Sequence, residues 1–160
     1  MKSVIEAIVG SKSMARGEIT ADVTVKITQT GDGEYKFEYS GQCAKPNGDL
    51  NFAEGGALKN TVKIVFTIAD GSVAGIRFKS NSKADGGPFW IVEKSKAGSD
   101  GCPQGPYKGD QYRVITTTTC GSQMHVINKN DDGKRYRYML RFDLDGATVI
   151  DDPDSDNGHI

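Results

Sequence analysis

The sequence predicts an all-β, antiparallel β-sandwich, and three observations carry that reading. In Arg135-Tyr-Arg-Tyr-Met-Leu-Arg-Phe142, apolar residues alternate with mostly cationic ones, the period of a strand buried on one face. Glycine occurs 20 times in 160 residues, often in turn dipeptides between alternating runs, as in a chain of hairpins. The row Val114-Ile115-Thr116-Thr117-Thr118-Thr119 is β-branched throughout and favours extended backbone. Turn spacing of this kind predicts about nine strands in one Ig-like or jelly-roll-like domain spanning residues 1–160.

Residues 2–9 contain Val4, Ile5, Ala7, Ile8 and Val9 and fit neither period, leaving a short helix or an edge strand. Val23, Val25 and Ile27 then alternate with polar residues, as do Tyr35, Phe37 and Tyr39 beyond Thr30-Gly-Asp-Gly33, predicting a first hairpin. Val62, Ile64, Phe66 and Ile68, followed by Asp70-Gly71 and by Ile76 and Phe78, predict a second. Further strands are expected at 89–93, 111–120, 123–128, 135–143 and 147–150. The irregular stretch 94–110 holds four glycines and two prolines, and loops of that length are usually functional or mobile.

Composition narrows the function classes. Twenty basic and 21 acidic residues leave a net charge of −1, so no general field recruits nucleic acid. No apolar run approaches the roughly 18 residues of a membrane helix. The apolar patch at the start is interrupted by Glu6 and too short for a secretory signal. Cys43, Cys102 and Cys120 are odd in number and lack CxxC spacing, which fits reduced thiols. These features place the protein in the cytoplasm, without a membrane or nucleic-acid partner.

Two places could hold a ligand. Trp90, the only tryptophan, follows Gly86-Gly-Pro-Phe89 and precedes the glycine-rich loop with Tyr107. Exposed rings of this kind stack on sugars and other flat apolar faces, although burial of Trp90 in the core is the more economical reading. The second place is the acidic end, where Asp151, Asp152, Asp154 and Asp156 follow Asp143 and Asp145 with no intervening cation after Asp143. Asp152, Asp154 and Asp156 match the first three spacings of an EF-hand calcium loop, but glycine falls one place late and no closing glutamate follows. A solvated acidic end facing a cationic strand is the simpler account. No cofactor other than such a calcium ion is suggested.

Arg135, Arg137 and Arg141 share one strand face and could fork onto an anion, or serve only as a solvated face that discourages edge pairing. Cys120 with His125 could in principle form a thiolate–imidazole pair, but the spacing does not supply the third, orienting group. Neither a phosphate-binding glycine loop nor a serine nucleophile elbow is present.

Four segments together carry a resemblance: Tyr35-Lys-Phe-Glu-Tyr-Ser-Gly41, Asn47-Gly-Asp-Leu-Asn-Phe52, Thr61-Val-Lys-Ile-Val-Phe66, and a terminal strand running into Asp152-Pro153 with Asn157 following. In these the chain resembles the DP-EP family of small bacterial all-β proteins. The resemblance leaves residues 94–110 and the N-terminal extension without a counterpart. It implies a compact β-sandwich of unknown function and brings no catalytic residues with it.

The expectation is therefore a non-enzymatic binding or interaction module. A calcium-dependent or carbohydrate-binding domain is its sharper form. The other readings are a self-associating protein pairing through edge strands and a small thiol enzyme using Cys102 or Cys120.

Overall fold

Alternation along Glu18–Gly31 (β1) buries Ala21, Val23, Val25 and Ile27 and leaves Asp22, Lys26 and Thr28 in solvent. This is the first of eleven strands in the computed structural model, which describes residues 17–52, 60–82, 86–97, 100–107 and 109–157. The others are β2 (Glu34–Gly41), β3 (Leu50–Asn51), β4 (Thr61–Ile68), β5 (Arg77–Phe78), β6 (Phe89–Glu93), β7 (Tyr112–Thr117), β8 (Gln123–Asn128), β9 (Arg135–Leu144), β10 (Ala147–Asp151) and β11 (Asp154–Asp156). The only helical element among the described residues is a 3₁₀ turn at Lys94–Lys96, and none is long and apolar enough to cross a membrane. Residues 2–9 and His159 lie outside the described residues.

The chain is all-β, in two sheets. The first has the order β2-β1-β4-β8-β7. In the second, β9 is central: β10 and β11 pair along one side, β6 and β5 along the other, and β3 lies outside β11. Rings from the two sheets meet in a shared interior, Phe66 with Tyr138 at 6.0 Å, Phe37 with Phe142 at 6.0 Å and Phe89 with Tyr112 at 6.1 Å. Face-to-face contact of this kind suits a sandwich. Full burial of a large apolar side chain contributes roughly 1.5–3 kcal/mol, against about 0–1 kcal/mol for an exposed ion pair, so this layer dominates the fold's stability.

The first hairpin forms as expected, Ile27 opposite Phe37 and Val25 opposite Tyr39. The second does not. Both sides of β4 are occupied, by β1 in parallel and by β8 antiparallel. Asp70-Gly71 does turn the chain, with Gly71 at φ 85°, but the chain then crosses to the other sheet, where Phe78 pairs with Phe142. A turn signal reports a reversal and not which strand is joined after it. Two pairings, β1–β4 and β11–β3, are parallel, so the sheets are mixed and not purely antiparallel. The two strands beyond the expected nine are β3 and β11, each too short for alternation to show.

Candidate functional site

β7 is the last strand of the first sheet and β6 borders the second. Between them opens a cleft of about 710 Å³. Phe89, Tyr107 and Tyr112 border it, Tyr107 partly exposed and the other two buried, while Asp110, Arg113 and Lys129 supply charges, with Lys129 Nζ 3.3 Å from Asp110. Gly86, Gly87 and Gly109 add walls without side chains.

The loop before β7 holds Tyr107 in place. Its hydroxyl accepts a hydrogen bond from Gln111 N at 3.1 Å, and its ring stands edge-on to Tyr112 and Tyr136 at 6.2 and 6.4 Å. A Cβ at position 109 would collide with that hydroxyl, so the close approach requires glycine. A second cleft, of about 530 Å³, shares Pro106, Tyr107 and Gly109 and continues along Ile91, Glu93 and Tyr136. Tyr107 therefore stands between two concavities.

Trp90 does not join it. In β6 the residues on either side, Phe89 and Ile91, are buried, so Trp90 takes the opposite face. There its indole donates to Gly86 O at 2.7 Å and the Arg141 guanidinium lies 4.2 Å from the ring centroid. Trp90 is absent from the lining of both Tyr107 clefts. The two aromatics expected to serve one ligand are thus separated by strand alternation. It also overturns the reading of Trp90 as core, since it is only partly buried.

Behind the cleft lies a buried polar cluster that sequence reasoning missed. Asn157 accepts from Asn128 Nδ2 at 2.7 Å and from Tyr112 Oη at 3.2 Å, and its own amide reaches Gln111, Asn128 and Asp132. Tyr112 also bonds Ser155 at 2.9 Å, and Tyr136 donates a very short bond to Asp132. Burial drives the Tyr112 and Tyr136 hydroxyls far above the ordinary phenol range, so both remain protonated donors. The cluster ties β7, β8 and the start of β9 to β11 and Asn157 and backs the cleft with a rigid wall. Its members are dispersed asparagines, glutamine and tyrosines with no shared spacing, so no motif marks it.

The acidic end runs from the last residue of β10 through β11, and β11 lies against the cationic start of β9. β11 pairs with β9, placing Asp154 opposite Arg137 and Asp156 opposite Arg135. Arg137 Nε lies 2.6 Å and Lys94 Nζ 2.9 Å from Asp154, and Arg135 lies 3.5 Å from Asp156. Against the cost of its partial burial, these cations hold the Asp154 carboxyl below its usual range. Asp152 accepts from the Cys102 thiol at 2.7 Å, and Asp151 from Tyr39 at 2.7 Å; burial pushes Asp151 upward. Asp152 shares Arg137 with Asp154, at 3.9 Å, while Asp151 meets Tyr39 and Asp156 meets Arg135, so the four carboxylates are already committed to protein partners. Among the described residues no group of three or more His, Cys, Asp or Glu is gathered to hold a metal ion. Calcium at millimolar concentration is expected to leave the unfolding midpoint unchanged relative to EDTA; a rise on the scale of mass-action linkage would contradict this arrangement.

The cysteines are all free thiols. The hydrogen bond to Asp152, with burial second, raises the Cys102 thiol and disfavours the nucleophilic thiolate. Bonds from Ser122 and Thr118 lower the exposed Cys120, yet its contacts are hydroxyls, and His125 Nε2 faces Gln123 Oε1 at 3.5 Å. No family model matches the chain. No curated protein matches it either.

Proposed function

We propose that this protein is a non-enzymatic binding module whose ligand sits in the cleft between β6 and β7. The observation that carries the reading is the cleft itself. It is of ligand size at about 710 Å³, presents the partly exposed Tyr107 ring beside a few charged groups, and is backed by a satisfied hydrogen-bond cluster. Ligand sites generally combine concavity, apolar lining and a few oriented polar groups in this way. Tyr107 is the residue expected to contact the ligand, through a ring held by Gln111 and two neighbouring tyrosines.

Three free thiols support a reducing, cytoplasmic setting. The resemblance to the small bacterial DP-EP family is compatible with the reading but assigns no ligand.

The test is a series of ¹H–¹⁵N spectra of the labelled protein, recorded with saccharides of one to four units and with short peptides. Concentration-dependent shifts confined to Phe89, Arg113, Val114 and their neighbours are expected with at least one ligand class. Shifts confined to the acidic end would sink the assignment of the site, and a spectrum unmoved by every class would sink the module reading.

A further inference from the structure

The free edge of β7 carries backbone groups whose direction follows from its register. Lys129 N donates to Gln111 O at 2.8 Å, and Tyr112 and Arg113 lie opposite Asn128 and Ile127. Bonded and non-bonded pairs alternate in an antiparallel ladder. Arg113 is therefore the residue that exchanges bonds with Ile127, while Tyr112 and Val114 turn their N–H and C=O groups away from β8. Among the described residues no other strand pairs with that side of β7. Tyr112, Arg113 and Val114 all line the cleft.

An exposed edge is normally blunted, and here the blunting starts only after Val114. A register shift between Val114 and Thr116 forms a bulge at Ile115, which is 38% exposed. The regular, open part of the edge is thus the part inside the cleft.

We propose that the cleft takes an extended, acidic peptide segment as an added strand on β7. The proposal rests on the cleft being the binding site and names what enters it. A wall made of strand edge is matched by peptide backbone, which supplies ladder hydrogen bonds along its length. Alternate side chains of the added strand, those opposite Tyr112 and Val114, take the same face of the sheet as Tyr112 and the half-buried Val114, the intervening ones the face of Arg113. Arg113 is exposed and has no ion pair among the described residues. Opposite charges are favoured at such cross-strand positions. The same rule disfavours a second copy of this chain, because two-fold pairing centred on this short edge sets Arg113 against Arg113.

The probe is acetyl-Glu-Val-Glu-Val-Glu-Val-amide, titrated into the full-length labelled protein beside two analogues N-methylated either at every valine or at every glutamate. In a strand the N–H groups alternate in direction, so only one set meets β7. The parent peptide is expected to shift the Tyr112 and Val114 amides and to slow their hydrogen exchange. One analogue should bind like the parent and the other at least about tenfold more weakly. Arg113→Glu should weaken the acidic peptide and strengthen its lysine counterpart.

Equal binding of both analogues would overturn strand addition while leaving the cleft as the site. Shifts with saccharides but not with the peptide would overturn it in favour of a glycan. A cleft silent to both would remove the proposal and the site together. A doubled solution mass with Tyr112 and Val114 already protected in the absence of peptide would give the edge to a second copy.

Discussion

Tyr138→Ala is expected to lower stability by about 3–5 kcal/mol, the usual cost of emptying a large aromatic site. Tyr138 is fully buried on β9, packed against Phe66 at 6.0 Å and Phe89 at 5.7 Å, and its hydroxyl donates to Gly48 O at 2.6 Å. It therefore joins both sheets and the turn before β3. For a domain of total stability about 5–15 kcal/mol, that loss corresponds to a drop in unfolding midpoint of roughly 6–20 °C. Tyr138→Phe retains the ring and strands only the Gly48 carbonyl, at about 1–3 kcal/mol. Thermal or urea unfolding of the pair separates packing from hydrogen bonding. An alanine variant no weaker than the phenylalanine one would show that the ring is not a keystone of the interior.

The second large effect is expected at Asn157. Replacement by leucine keeps the approximate volume but removes the acceptor used by Asn128 and Tyr112 and the donor shared among Gln111, Asn128 and Asp132. Each buried group left unsatisfied costs about 1–3 kcal/mol, so a loss of about 3 kcal/mol is expected. Hydrogen exchange should speed up first in β7 and β11, the strands the cluster ties together.

Asn157→Asp gives a sharper signature. The new carboxyl would be buried and would face Asp132, which raises its folded-state pKa above that of the unfolded chain. A group raised in this way is accommodated below its unfolded value, and the variant loses stability as pH rises through about 4 and above. Its deficit relative to the wild type should be small at pH 4 and large at pH 7. A deficit independent of pH would mean that this position is wet.

The sheet-forming parts of the chain were legible to the extent that one face is buried. β4 and β8 alternate strictly and were located to within a residue or so, because half-buried strands write their period into the sequence. β6 was located but not oriented: that Phe89 and Ile91 face inward, turning Trp90 out, depends on which sheet lies beneath them. The acidic end shows the same limit. Its carboxylates read as a cluster in sequence, and pairing with β9 distributes them among Arg135, Arg137, Lys94 and Cys102.

Residue order by itself determined that the chain is all-β, where most of its strands lie, and that a glycine-rich loop precedes β7. Those features rest on local periodicity and backbone preference, which need no knowledge of partners. Beyond the first hairpin, only the tertiary structure decided which strands are neighbours, that two pairings run parallel, and that β6 and β7 leave a cleft between them. It alone assembled Gln111, Tyr112, Asn128, Asp132, Ser155 and Asn157 behind that cleft. Contacts across 20 to 46 positions of sequence leave no trace in local pattern, because each residue alone is as well placed on the surface as in the interior.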